Sequence, residues 1–416
     1  MERAERTLFV SENWRSEKSS PFGQLHASFV RGQETFSFEY TEEWLASFKG
    51  SFPLDPDLSL FRGRQYSPLD KSLFGLFLDS CPDRWGRLLM TRKEAVDARK
   101  ESRKPRKLME SDFLLGVFDK SRMGALRFRT AEDGAFQSDD ELFATPPWIR
   151  LRVLESASLA FESGEGVDDE KWLNEILAPG SSLGGARPKA NVLAEDGCLW
   201  IAKFPSRNDD HDSGTWEKVV HDLARLSTLD VPESRLETFS TSGGTFLVKR
   251  FDRSGNRRIH FASAMTLLGK TDGASATDGT SYLDLASFLR ANGSDPKQDL
   301  TELWKRIVFN MSVSNTDDHL RNHGFLLRPT GWKLSPLFDV NPVPYGDRLS
   351  LNVDESDNRI DFSLAMEVAE SFGLSLPEAK ALSENMRRTV KDNWVGIAKG
   401  HGLSRGAMEA MRPAFE

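Results

Sequence analysis

A chain of 416 residues is too long for one ordinary core, so two or three domains, or one bilobal unit, are expected. Its 63 acidic and 55 basic side chains leave a net charge of −8, which argues against any global attraction to nucleic acid, and its 38% apolar and 28% charged residues are those of a soluble globular protein. The two cysteines, Cys81 and Cys198, have no metal-ligand spacing, the start lacks a secretory apolar core, and no run reaches the ~18 apolar residues of a membrane span, so a cytoplasmic protein without membrane contact is expected.

In chain order, short strands are predicted over 8–10, 25–30 and 35–40, separated by turns at 21–23 and 32–33. Thr41 caps a short helix, 42–48. Residues 73–99 read as helix, broken at Cys81-Pro82-Asp83. The basic run 99–107 has no interleaved aromatics, which favours a solvated helix end over a nucleic-acid patch. A polar linker at 130–148, a charged helix at 149–163, an acidic loop at 164–170 and a helix at 171–177 follow. Next come a Gly-rich turn, a hairpin about Asp196-Gly197, a helix at 215–227 and a second hairpin turning at Gly243-Gly244. Beyond Ser281 nearly everything reads helical: 282–292, 300–315, 362–372, 376–393 and 405–411, with apolar residues such as Leu303, Ile307 and Met311 at helical steps. The exceptions are the loop 316–323 and a hairpin around 329–331. The expected class is α+β: a bilobal protein-kinase-like fold with a mixed N-terminal lobe and an all-helical C-terminal lobe. Its expected parts are an N-terminal subdomain (1–148), a nucleotide-binding part (149–255) and a helical lobe (256–416).

The most informative stretch is Thr316-Asp317-Asp318-His319-Leu320-Arg321-Asn322, followed by Leu337-Phe338-Asp339. An Asp, an Asn five residues on, and a second Asp after a short hairpin is the spacing of phosphoryl transfer: one carboxylate takes the proton of an attacking hydroxyl, while the Asn and the second Asp hold magnesium. Asp317 fits the base, and Asn322 and Asp339 fit the metal ligands, since oxygen donors with room for phosphate and water suit that ion. Asp318 competes with Asp317. Asp317 is preferred because its offset to Asn322 matches the layout. His319 either lines the nucleotide or braces the loop. A capped polar loop would share this composition.

The segment Ser181-Ser182-Leu183-Gly184-Gly185-Ala186-Arg187-Pro188-Lys189 has the chemistry of a phosphate cradle, with glycines for backbone approach and Arg and Lys for charge, although it matches neither a P-loop nor a dinucleotide fingerprint. Lys203 ends an apolar strand, where a buried ammonium needs an anion: a nucleotide phosphate, or a carboxylate such as Glu217 on the next helix. Gly-rich loop, hairpin, strand lysine and helix glutamate is the order found in protein kinases. In that arrangement the exit of the second hairpin is a hinge, which makes Lys249, Arg250 and Phe251 candidate adenine contacts. A strand exit with solvated charges accounts for them equally.

Taken together, these blocks resemble the HipA family of serine/threonine kinases, toxins of type II toxin–antitoxin modules. The resemblance lies in Ser182 to Lys189, in Ile201-Ala202-Lys203-Phe204-Pro205, in Thr316 to His323, and in Leu334 to Pro342 with Phe338 and Asp339. The N-terminal runs Phe77 to Arg87 and Phe113 to Val117 add to it, so it spans nearly the whole chain. It implies binding of ATP and Mg2+, with Gly184, Gly185, Ala186, Arg187, Pro188 and Lys189 in the phosphate loop and Lys203 on the α/β-phosphates. It also implies autophosphorylation of a loop serine, Ser182 with Ser181 as runner-up, that silences the enzyme. Implied partners are a protein substrate such as an aminoacyl-tRNA synthetase and a small helix-turn-helix antitoxin, with DNA reached only through the antitoxin. Lys249-Arg250 departs from family members with an acidic residue in the hinge. Two other functions are weighed against a kinase: a non-catalytic nucleotide-binding co-repressor, and nucleotidyl transfer by the same site.

Overall fold

A computed structural model of the chain describes residues 5–30, 33–48, 50, 52–139, 144–164, 187–255 and 257–416. The expected helix at 171–177 and the residues Ser181, Ser182, Gly184, Gly185 and Ala186 lie outside the described residues. The chain divides into two compact units, Met1–Arg207 with Asp252–Ala262, and Asn208–Phe251 with Ser263–Glu416.

The first unit is built on an antiparallel sheet of β1 (Arg6–Glu12), β2 (Ser20–Val30), β3 (Gln33–Tyr40), β4 (Gln65–Tyr66) and β5 (Leu126–Arg129), in the order β4-β3-β2-β1-β5. Alternation selects the core face: Leu8, Val10, Leu25, Phe36, Phe38 and Tyr40 are all buried. Thr41 caps α1 (Glu42–Ser47) by accepting from the Trp44 amide, and Trp44 packs edge-on against Phe22 and flat against Tyr40. Residues 21–23 are not the turn that Pro and Gly suggest. They lie inside β2, where Ser11 pairs with Pro21 and Val10 with Gly23, so Phe22 is the extra residue of a bulge that accommodates a proline in the ladder. The connection runs earlier, through bends at 14–18.

A one-turn helix, α2 (Gly75–Leu78), and a 17-residue helix, α3 (Arg84–Lys100), flank the predicted break. Asp83 caps α3 by accepting from the Gly86 amide at 2.8 Å. Trp85 and Leu89 of α3 pack with Ala157 of α5 (Leu151–Ser163), and α4 (Glu110–Gly116) lies between the two in sequence. In the basic run, Arg103 pairs with Glu94 and Glu101, and Arg106 with Glu94 and Asp112, so these charges are met by the protein's own carboxylates. Arg122 is fully buried and donates to four backbone carbonyls, of Ser80, Leu114, Val117 and Gln137. The hairpin of β6 (Lys189–Leu193) and β7 (Leu199–Lys203) turns through Gly197 at φ +77°. The returning segment carries a ribbon of β10 (Arg253–Ser254) and β11 (Arg257–Arg258). Asp252 accepts there from the Gly124 amide, and Arg258 pairs with Asp119.

The second unit opens with α6 (Ser213–Leu226) and the hairpin of β8 (Ser234–Ser240) and β9 (Gly243–Lys249). That hairpin turns at Thr241-Ser242, one step before the glycine pair. Gly243 and Gly244 instead begin β9: Gly243 takes φ +137°, and a Cβ on Gly244 would stand 2.5 Å from Thr215 Oγ1 of α6, while one on Gly214 would stand 2.0 Å from the Gly244 carbonyl oxygen. Asp212 accepts from both the Thr215 and Gly244 amides, fixing helix to strand.

After β12 (Phe261–Ser263) and α7 (Ala264–Leu267) the unit is helical: α8 (Tyr282–Asn292), α9 (Pro296–Ser312), α10 (Phe362–Glu367), α11 (Leu376–Gly400) and α12 (Arg405–Met411), interrupted by the hairpin of β13 (Gly324–Arg328) and β14 (Gly331–Leu334). α9 begins a turn earlier than its apolar pattern, because Asp295 caps it and Pro296 takes the first position, where its missing N–H costs nothing. Leu303, Trp304, Ile307 and Val308 of α9 are fully buried. The α+β class, a mixed N-terminal region followed by a helical one, is that of a bilobal kinase-like fold. Among the described residues, no helix is long and apolar enough to cross a membrane.

Candidate active site

The loop after α9 carries the Asp/Asn pattern, and hydrogen bonds shape it from end to end. Ser314 adopts φ +50°, the Asn315 amide donates to the Asn310 carbonyl, and the Ser314 hydroxyl donates to the carbonyl of Gly346. Gly346 admits this approach only as glycine, since a Cβ there would lie 2.4 Å from Thr316 Cγ2. Ser350 donates to the Thr316 carbonyl.

The two neighbouring aspartates part at this point. Asp318 is 1% exposed and its Oδ2 accepts from Tyr282 Oη at 2.6 Å, Asn310 Nδ2 at 2.5 Å and His323 Nε2 at 3.0 Å. Burial pushes its carboxyl up, but the His323 imidazole and the hydrogen bonds outweigh this and hold it below the ordinary value. Asp317 is exposed, and its backbone carbonyl accepts from Asn322 Nδ2 at 2.9 Å. Its carboxyl is raised, first by the surrounding protein and then by the charges of Asp339 and Asp318, against the opposing pull of His319. Asp317, His319, Asn322 and Asp339 are therefore one neighbourhood.

Asp339 is half-buried in the left-handed region, at φ +59°. Its segment is tied down on both sides: the Leu337 amide donates to the Asp230 carbonyl at 2.7 Å, and the Asn341 amide reaches Asn315 Oδ1 at 3.5 Å. The Phe338 ring lies 5.6 Å from that of Phe251, which brings these two candidates together. Glu217 is buried on α6, Arg250 is buried at the end of β9, and Lys249 Nζ stands 3.5 Å from Glu233.

Lys203 belongs to the first unit, with Arg187, Pro188 and Lys189. The Phe204 amide donates to the Pro188 carbonyl, which joins the exit of the phosphate-loop sequence to the lysine strand. Lys189 and Lys203 are cross-strand partners. The sequence reading puts Lys189 on phosphate; in the structure its ammonium stands 3.0 Å from Asp83, with side chains 3% and 0% exposed. Pattern reading also passed over the residues around Asp318. Asn310 was the available signal, a polar residue on the face of α9 that buries Leu303 and Ile307.

A family model described as the HipA-like C-terminal domain matches residues 181–394, 214 (394 − 181 + 1) of the 416. A protein of Sinorhizobium fredii named as a candidate kinase is 31% identical over 191 residues, 40% of this chain, which spans only 43% of that relative's length. The serine/threonine-protein kinase toxin HipA of Shewanella oneidensis is 23% identical over 404 residues, 88% of this chain and 84% of the toxin. In a solved structure of Shewanella oneidensis HipA with HipB and operator DNA, a chain overlays this one at a TM-score of 0.67 and 19% identity, covering 98% of this chain and 94% of that one. This likeness shows the fold.

Proposed function

The chain belongs to the family of the HipA-like C-terminal domain, and from that premise we propose that it is a Mg-ATP-dependent serine/threonine protein kinase of the toxin type. One observation carries the reading: of two adjacent aspartates, Asp318 has its acceptor oxygen filled by three donors, while Asp317 is exposed beside Asn322 and Asp339. Asp317 is the group left to accept the proton of an attacking hydroxyl, and its raised carboxyl is the better base for it.

The donor set fits magnesium. The amide nitrogen of Asn322 is spent on the Asp317 carbonyl, which leaves its oxygen for a cation, and Asp339 adds a carboxylate. Phosphate and water would complete the coordination. When bound, the ion supplies neutralisation of phosphate charge. Lys203 would contact the α/β-phosphates, and Glu217, Lys249, Arg250, Phe251, Phe338 and His319 are the second unit's candidates toward the nucleotide.

The toxin role, silencing by phosphorylation of Ser182 or Ser181, an aminoacyl-tRNA synthetase as substrate, a helix-turn-helix antitoxin as partner and a cytoplasmic location belong to the same proposal. Support for the partner is the likeness to a chain solved with HipB and operator DNA. The test is transfer from labelled ATP with magnesium by the pure chain and by Asp317→Ala. Orders of magnitude less label in the variant are expected, and equal label in both refutes the assignment. Nucleotide binding with no turnover in the unaltered chain would favour the co-repressor reading, and a mass gain of one adenylate would indicate nucleotidyl transfer.

A further inference from the structure

Asp318 has no part in the chemistry above, yet it is the most heavily bonded carboxylate of the loop. Its three donors come from separate places: Tyr282 at the start of α8, Asn310 within α9, and His323 at the far end of the loop. The bonds continue outward. Asn310 Oδ1 accepts from Asn315 Nδ2 at 3.1 Å, and Asn315 Oδ1 faces the Asn341 amide, two residues beyond Asp339. His323 is itself fixed, with Tyr282 edge-on to its ring and its carbonyl accepting from the Ala264 amide. Every side chain in this chain of contacts is at most 3% exposed.

On the kinase reading, we propose that Asp318 is the positioning residue of the catalytic loop: it clamps both ends of the loop and, through Asn310 and Asn315, sets the Asp317 and Asp339 segments relative to one another. The physical argument is convergence. A buried carboxylate with one partner is costly, and one with three aligned donors is rigid, because moving any donor strands the others. Rotation of the Asp317 backbone would break the bond from Asn322 on one side and move Asp318 off its donors on the other. The exposed carboxylate is thereby held on a fixed stem.

The test compares the unaltered chain with Asp318→Asn, Tyr282→Phe and, as a loss control, Asp317→Asn. Turnover is referred to molecules that bind nucleotide, so that unfolded protein is not counted. Asp318→Asn places an amide against three donors, and about a hundredfold lower kcat is expected. Tyr282→Phe removes one donor and should cost about tenfold, with KM for ATP within about twofold. Amide exchange over 314–323 should quicken in both variants while that of α11 is unchanged. A merely structural carboxylate would lower the melting temperature and leave kcat per folded molecule alone. That result in both variants overturns the proposal, and if Asp318→Asn does not fold, Tyr282→Phe decides. An unaltered chain that transfers no phosphate overturns the kinase reading and this one with it. An active chain with unaffected variants overturns this one alone.

Discussion

Removing either partner of the Asp83–Lys189 pair should destabilise the first unit strongly, while removing both should nearly restore it. The two side chains meet at 3.0 Å and are 3% and 0% exposed. At an effective dielectric of about 20, charges at that separation attract by ~5 kcal/mol, most of it offset by desolvation. Breaking one side takes the ion-pair partner from a buried charge, at a cost of up to ~3–5 kcal/mol. Asp83 also caps α3, and to keep that contribution of ~1 kcal/mol out of the comparison the substitution should be Asp83→Ser, which retains a capping oxygen. Lys189→Met keeps the length of the stem. Asp83→Ser leaves two ammonium groups facing across the β6–β7 hairpin, since Lys189 and Lys203 are in register, so it should be the worse of the two. The double variant should recover all but ~1–2 kcal/mol. Hydrogen exchange of peptides from α3 and from the hairpin, measured in graded urea, reads these values locally. If the single effects simply add in the double variant, to within ~0.5 kcal/mol, the pair does not interact as described. If Lys189→Met weakens nucleotide binding and leaves α3 protection unchanged, the lysine serves phosphate instead.

Three other perturbations follow from the same reasoning. Gly214→Ala would drive a Cβ into the Gly244 carbonyl, so α6 must move off β9. A melting temperature lowered by several degrees is expected, and an unchanged one would show that the contact is not tight. Arg122→Met strands four carbonyls, three of them buried at ~1 kcal/mol or more each, and soluble, normally melting protein would contradict that hub. Burial pushes His260 down to about 3, so the folded chain keeps it neutral while the unfolded chain protonates from ~6.5 downward. Its stabilisation is therefore complete above that value and is lost as pH falls, by ~2 kcal/mol at pH 5. His260→Phe should flatten the pH dependence of urea unfolding between 7 and 5, and an unaltered slope would refute it.

Much of the architecture was legible because its signals are local. Tyr282–Asn292 and Arg405–Met411 begin where Ser281 and Ser404 accept from amides three residues on, and such caps are visible in sequence. Local signals also misled where tertiary structure overrode them: the Pro21–Gly23 segment is absorbed by a bulge, and Gly244 answers to the close approach of α6 rather than to its own turn. The spacing of Asp317, Asn322 and Asp339 is equally local, and so was readable. The brace on Asp318 was not, since Tyr282 is 36 residues away, nor was the partner of Lys189, which lies 106 residues upstream (189 − 83). Nothing in a linear pattern says which of several carboxylates a buried lysine will meet.

The aromatic stack behind α6 has a bearing on how the protein is made. Trp216 of that helix lies 5.8 Å from the ring of Phe415, which stacks at 4.9 Å on Trp394 of α11, and His401 meets Asp222 at 2.8 Å. The ring that backs the helix carrying Glu217 leaves the ribosome some two hundred residues after that helix does (415 − 216 = 199). A nascent chain stalled before that point already holds Asp317, Asn322 and Asp339 while the helix that carries Glu217 still lacks its aromatic backing.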